Sequence, residues 1–468
     1  MMKESISDLV GYSPNTISTD TTVDPLTCPV DNSLTTSSTT NLDSSSNIPN
    51  KEEEGNRKTE KKTPTEDLME IAEGKIDLLF KDQYEVPFAK IFVKNHFEII
   101  SLKISKFEKF LSSSYHKVYK IPINSESITN VIRTLQAKAE FGDMQYSLSL
   151  RVAEYDGDMY YDLTNEKHQC VKISKNGSWE VLDLTPIPLF KRYNQIPQTL
   201  PFADSLTEEK EQDPLETFIS KFTNIKDEET KLLVKVTLLS YFVPNIPHII
   251  LIIHGGKGSA KSTFQLLIKN LVDPAKPLLL TLHNNPSEFI QQLSHNYLAT
   301  YDNMKYVTKW LSDEVCKAVT GIGQTKRRLY TDDEDIIYEY KHCLNFNGIN
   351  NAFSEPDVID RSIIIELAEI DDKDRRTEQE ILYEFYALRP KLLVIIFNTL
   401  ARANTVRPNI KIKKLPRMAD SSLWGEAISR ALGNKENEFI NAYYKNIGFQ
   451  NSEAVDSNPL AFAIKKYV

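Results

Sequence analysis

Apolar residues recur along this chain in two rhythms, and the rhythm changes several times. Over residues 67–80, Leu68, Ile71, Ile76 and Leu79 fall at helical spacing, and residues 107–111 and 128–139 repeat that pattern. Short apolar or alternating runs at 89–93, 146–152, 159–163, 170–173 and 179–182 predict strands, with Asp156-Gly157-Asp158 and Lys175-Asn176-Gly177-Ser178 as hairpin turns. Residues 206–242 are helical in pattern. Asp213-Pro214 opens one helix there, and Asp227-Glu228-Glu229 opens another with acids in its first turn. Pro244 and Pro247 close that stretch. Five strand-like runs follow at 249–253, 278–282, 297–301, 341–349 and 363–367, separated by helical stretches, which predicts an α/β sheet. The remainder is helical, at 377–388, 390–403, 421–432 and 436–445. Residues 1–66 follow neither rhythm. Residues 33–46 are almost all Ser, Thr and Asn, and 51–62 is a mixed charge run with little to bury.

The pattern divides the chain into a disordered tail (1–66), a β-rich α+β accessory domain (67–201), a helical linker region (202–246), an α/β domain (247–370) and a C-terminal helical domain (371–468). Composition adjusts this picture in three places. No run of apolar residues is long enough to span a membrane, and Met1-Met2-Lys3-Glu4 lacks the apolar stretch of a secretory signal. Cys28, Cys170, Cys316 and Cys343 have no paired spacing, which argues against a zinc site or a disulfide framework and fits a reducing, cytoplasmic setting. The net charge of −9 means that contact with nucleic acid must come from local basic patches.

The candidate chemistry starts where the strand at 249–253 stops, at Gly255-Gly256-Lys257-Gly258-Ser259-Ala260-Lys261-Ser262-Thr263. This follows the phosphate-binding pattern G-x-x-x-x-G-K-[ST], with Ala260 standing where the second glycine belongs. Glycines let the backbone curl so that N–H groups face phosphate oxygens, and the following helix adds the positive end of its dipole. Lys261 would reach the outer phosphates and the Ser262 hydroxyl would bind Mg²⁺. Ala260 is tolerable there if its φ is negative. Asp302 ends an apolar strand 41 residues after Lys261 and fits the second Mg²⁺ position. Its neighbour Asn303 stands where a second acid often polarises the attacking water. Either Asn303 positions that water, or Asp313 or Glu314 does so. The polar end of the 341–349 strand offers Asn347 or Asn350 as a γ-phosphate sensor. Asp360-Arg361 precedes the last strand, so Arg361 is either an arginine finger for a neighbouring subunit or a local ion pair. Arg327, in a basic stretch facing an acidic turn (325–333), is the other candidate donor.

Taken in order, 255–263, Leu271-Val272-Asp273-Pro274, Tyr301-Asp302-Asn303, Leu311-Ser312-Asp313, Thr320-Gly321-Ile322-Gly323, 327–332, Phe346-Asn347-Gly348-Ile349, Asp360-Arg361-Ser362 and Arg417-Met418-Ala419-Asp420 resemble the ATPase part of phage- and plasmid-type primase–helicases. That group is related to the superfamily 3 and AAA+ ring ATPases. The resemblance extends upstream to about Phe80 through Tyr160-Tyr161-Asp162-Leu163 and Val171-Lys172-Ile173, and nothing upstream resembles a primase catalytic domain. It implies a P-loop, AAA+-like ATPase domain, ATP and Mg²⁺ as cofactors, and Asn347 as the sensor. It also implies a homo-oligomeric ring on single-stranded or forked DNA; if primer synthesis is needed, a separate primase or polymerase chain supplies it. The expected function is an ATP-dependent DNA helicase or translocase in replication of a mobile element. The alternatives are an ATPase that remodels or packages without unwinding, and a nucleotide-gated primase-loading scaffold with weak hydrolysis.

Overall fold

The computed structural model describes residues 62–202, 213–321, 324–327, 335–338, 341–353 and 355–457, all within the unit Lys61–Val468. Nearly all of the expected tail lies outside the described residues. The first helix, α1 (Pro64–Glu73), starts ahead of the expected position because Thr63 and Glu66 form a reciprocal capping box. It also ends early, at Gly74. Residues expected to continue the helix form β1 (Ile76–Lys81), which pairs antiparallel with β2 (Pro87–Val93). Here cross-strand pairing overrides helical spacing. With β3 (His96–Ser101) these make a three-stranded meander, covered by α2 (Ser105–Tyr119) and α3 (Ser125–Glu140). Leu68, Ile91, Phe107, Leu111, Val131 and Leu135 form its own small core.

A second antiparallel sheet runs β4 (Val152–Tyr155), β5 (Asp158–Asp162), β6 (Cys170–Ile173) and β7 (Trp179–Leu182) in that order. The strand expected at 146–152 begins only at Val152; upstream, Gln145 and Ser149 make isolated bridges. Tyr161, Val171 and Ile173 of this sheet join one continuous core with the parallel sheet downstream. The link is α4 (Pro214–Phe222) and α5 (Glu228–Ser240).

The parallel sheet is built from β8 (Ile250–His254), α6 (Lys261–Val272), α7 (Pro286–His295), β9 (Leu298–Met304), α8 (Lys309–Thr320), an antiparallel ribbon of β10 (Gln324–Arg327) and β11 (Asp335–Tyr338), β12 (Cys343–Gly348), the short α9 (Pro356–Ile359) and β13 (Ser362–Glu366). Its order is β13-β8-β12-β9, every pair parallel. Helices cover both faces, which is why the strands read as nearly unbroken apolar runs. The strand expected at 278–282 reduces to a single parallel bridge, Leu280 with Tyr301. The architecture is thus mixed α/β with a parallel sheet.

Three helices close the fold: α10 (Glu378–Val406), α11 (Ala419–Ala431) and α12 (Glu438–Ser457). Two helices were expected where α10 runs unbroken through Pro390. Proline removes one backbone hydrogen bond. The buried row Phe385, Leu392, Leu393, Ile396, Phe397 and Leu400 outweighs that loss.

Candidate functional site

β8 carries the chain to the carboxyl edge of the sheet with Ile250–Ile253 all buried. At Gly255, φ is +150° and a Cβ would lie 2.3 Å from the Leu367 carbonyl oxygen, so only glycine passes. Gly256, Lys257 and Gly258 are exposed, and the buried Ser259 hydroxyl donates to the Gly256 carbonyl at 2.9 Å. Ala260 has φ +57° and ψ 25°, so the negative φ that would make alanine easily tolerable there is not met. The alanine holds a left-handed conformation that costs an L-residue about 1–2 kcal/mol. The backbone is shaped for the glycine that the pattern calls for.

From there α6 begins at Lys261 with no side-chain cap and no acid in its first turn, where Ser262 is exposed and Thr263 half-buried. The N–H groups of an uncapped first turn suit an anion. The Lys261 ammonium donates to the carbonyls of Gly255 (2.8 Å) and Gly256 (2.7 Å) and to Ser259 Oγ (3.1 Å). Partial burial draws this lysine below its ordinary range, and Asp302 offsets part of the shift.

Two neighbouring strands supply the facing groups. The Ser262 hydroxyl donates to Asp302 Oδ1 at 2.7 Å, joining the first turn of α6 to β9. Between them, β12 places Asn347 opposite Ile253. Asn347 Nδ2 donates to Asp302 Oδ1 and to Gln265 Oε1, each at 2.6 Å, and its own Oδ1 accepts from the Asn303 N–H at 2.8 Å. Gln265 Nε2 donates to Asn345 Oδ1 at 2.9 Å, completing a buried polar chain under the loop. Asn347 is therefore inside this network, while Asn350 is exposed past the strand end. Gln265 was not singled out by sequence reasoning. Asn303 is exposed, at φ +59°, on a cavity of about 170 Å³ that Asp302, Thr281, Asn284 and Tyr306 also line. Asp313 is exposed on α8, and Glu314 pairs with Lys317 on the same helix at 2.9 Å.

Arg361 is paired within its own chain. Its Nη1 donates to the Asp357 carbonyl at 2.6 Å and lies 3.3 Å from Asp357 Oδ2, with the residue 9% exposed. Arg417 Nη1 meets Asp357 Oδ1 at 2.7 Å, so one carboxylate bridges two arginines. The Arg327 side chain lies outside the described residues; its backbone closes β10 opposite Asp335.

Elsewhere, His96, Glu98 and His168 bring possible metal-ligand atoms within 4.8 Å of one another. These donors are already committed. Arg192 Nη1 lies 3.0 Å from His168 Nδ1, and Lys106 and His96 hold the two Glu98 oxygens at 2.7 and 3.3 Å. A metal-bound histidine is normally backed by a carboxylate or carbonyl, the opposite of an arginine.

Residues 217–442 match a family model described as the actinomycete integrative conjugative element replication protein, just under half of the chain. No curated protein sequence matches. Among solved structures, "SCCmec type IV Cch - active helicase" overlaps at a TM-score of 0.45 and 13% identity, covering 83% of this chain and 76% of that one. Two apo structures of the NrS-1 C-terminal region overlap at TM-scores of 0.37 and 0.39, each at 10% identity, over 81% of this chain and 74% of theirs. Overlap at this level is loose. Over residues 217–442, which contain Lys261, Asp302 and Asn347, the chain is similar to replication proteins of integrative conjugative elements.

Proposed function

We propose that this chain is an ATP-dependent DNA helicase or translocase acting in replication of a mobile element. The carrying observation is the 2.7 Å contact between Ser262 and Asp302 at the mouth of an uncapped helix, with Lys261 folded over the adjoining loop. A hydroxyl from a helix start and a carboxylate from a neighbouring strand, beside backbone N–H groups and a lysine, are the parts that phosphoryl transfer needs. Residues 255–263 would cradle the ATP phosphates, and Ser262 and Asp302 are the groups that would hold Mg²⁺. When bound, that ion would neutralise charge developing on the phosphates. Asn347 aims the Asp302 carboxylate toward Ser262 and holds the Asn303 N–H, and Asn303 lines the cavity where a water would attack. The family similarity supports replication of a conjugative element as the setting.

In this reading protomers form a ring on single-stranded or forked DNA, with a separate primase or polymerase chain making primers. A shared active site then requires either that assembly opens the Arg361–Asp357 pair or that Arg327 supplies the cation in trans. Phosphate release with and without single-stranded DNA, together with strand displacement on a forked substrate, tests the proposal. Hydrolysis that DNA stimulates, with displacement that Lys261→Ala abolishes, supports it. Hydrolysis without displacement favours a remodelling or packaging ATPase. Ala260 at positive φ and the absence of a second acid at Asn303 favour a second reading, a nucleotide-gated scaffold for a primase. ATP binding with negligible turnover would select that one.

A further inference from the structure

Residues 385–419 contain eight lysines and arginines and no acid, in a chain whose net charge is −9. The first part of this run is the buried row of α10. Its end leaves α10 through a short 3₁₀ turn (Arg407–Asn409) and crosses to α11 as a strap. The strap is patterned: Ile410, Pro416 and Met418 are buried and Ile412 half-buried, while Arg407, Lys411, Lys413, Lys414 and Arg417 are exposed. The chain bends at Lys413-Lys414 and again at Arg417-Met418, and the buried residues hold it down while the cations, with Leu415 among them, stand out.

The strap is also fixed at several points. Arg407 lies 4.8 Å from the centre of the Trp424 ring. The Tyr444 hydroxyl donates to the Lys414 carbonyl at 3.0 Å, and Arg417 is tied to Asp357. Among the described residues no carboxylate pairs with Arg407, Lys411, Lys413 or Lys414. Exposed lysines are ordinarily solvated one by one. Four neighbouring cations on an anchored backbone, without the interspersed acids found on the rest of this surface, form a standing positive stripe. Through Asp357 the strap adjoins the start of β13, the sheet edge opposite the loop at Gly255–Ala260.

We infer that this strap is a phosphate-backbone binding surface for DNA, with Arg407, Lys411, Lys413 and Lys414 as its contacts. The inference rests on the DNA-directed reading above and adds to it a surface remote from the nucleotide site. The test uses the full chain, without nucleotide, and a labelled oligodeoxythymidine titrated over a range of salt. Lys411→Gln/Lys413→Gln/Lys414→Gln should weaken binding by about tenfold or more and flatten the log–log salt slope by about two, since each lost single-strand phosphate contact is worth about 0.7. The same charge change placed elsewhere, Lys109→Gln/Lys117→Gln/Lys120→Gln, should leave both close to parental. Lys→Arg at the three strap positions should keep parental affinity. DNA-independent ATP turnover should be unchanged in the strap variant, which also reports its folding.

Equal behaviour of the strap and control variants, with DNA-stimulated hydrolysis intact, overturns this inference and leaves the helicase reading standing. A parental protein that hydrolyses ATP and binds no DNA overturns both. Loss of binding to phosphatidylserine vesicles, with DNA binding retained, assigns the strap to a lipid surface and overturns the inference.

Discussion

Asp273 closes α6 at the end away from the nucleotide loop, and its removal should be among the most damaging single changes outside that loop. The carboxylate accepts from Lys269 Nζ at 2.8 Å, from Arg151 Nε at 3.0 Å, and from the N–H groups of Tyr297 and Leu298 at 3.0 and 3.1 Å. All three charged side chains are fully buried. Burial pushes the Asp273 carboxyl up, but Lys269 and Arg151 outweigh it and hold it below the usual carboxylate range. In Asp273→Ala the two cations keep some acceptors, Asn296 and the Leu298 carbonyl for Lys269 and the Pro274 carbonyl for Arg151. What they lose is the compensating charge. Breaking a buried pair in this way costs about 3–5 kcal/mol, a large share of the roughly 5–15 kcal/mol that stabilises a typical domain.

Urea unfolding followed by circular dichroism should show that loss, while ATP turnover per folded molecule in the cold stays near parental. Because Arg151 precedes β4 and Asp273 follows α6, the loss should also loosen the second antiparallel sheet from the parallel one. Replacing the whole group (Arg151→Met/Lys269→Met/Asp273→Leu) should recover much of the stability, since well-packed apolar residues often match a buried ion pair. An Asp273→Ala protein within about 1 kcal/mol of the parent, or a triple variant no more stable than the single, would refute this reasoning.

Lys261→Ala should abolish ATP turnover and leave the urea midpoint unchanged, because the ammonium touches only loop carbonyls and Ser259; near-parental phosphate release would remove the nucleotide-loop assignment. Ala260→Gly should raise stability by up to about 1 kcal/mol, the relief of a left-handed alanine less the unfolded-state entropy that glycine adds, and should change turnover by less than about tenfold; a lower urea midpoint would show that the methyl is used in packing. Burial depresses His248 to about 3 and His342 to about 4. The unfolded chain takes up those protons near pH 6.5 and the folded chain does not, so their contribution is complete above pH 6.5 and is lost as pH falls toward 4, at about 1.4 kcal/mol per unit of depression. A urea midpoint that stays flat from pH 7 to pH 4 would contradict this.

What the sequence made legible follows the range over which each signal acts. The loop from Gly255 to Thr263 is a local instruction: an apolar run, glycines, Lys-Ser and a helical repeat specify strand, turn and helix within a few turns of chain. The Ala260 conformation is not local in the same sense. An alanine normally avoids positive φ, and only the requirement that α6 start where β8 delivers it imposes +57°. Asn347 and Asn350 look equivalent along the chain, and β12 separates them, one facing Asp302 and one beyond the strand end. Gln265 is harder still. It lies beside the apolar stripe of α6 like any polar flank, and becomes part of the candidate site only because β9 and β12 pack over that face and supply Tyr301, Asn345 and Asn347 as partners. The same reasoning explains the helix expected over 67–80, where antiparallel pairing with β2 claimed Ile76–Lys81 from a helical pattern. Arg361 is the reverse case. Asp357 stands four residues before it, and that spacing is a legible signal for the local ion pair. With Asp357 already holding it at helical spacing, Arg361 can serve a neighbouring subunit only where assembly breaks that pair.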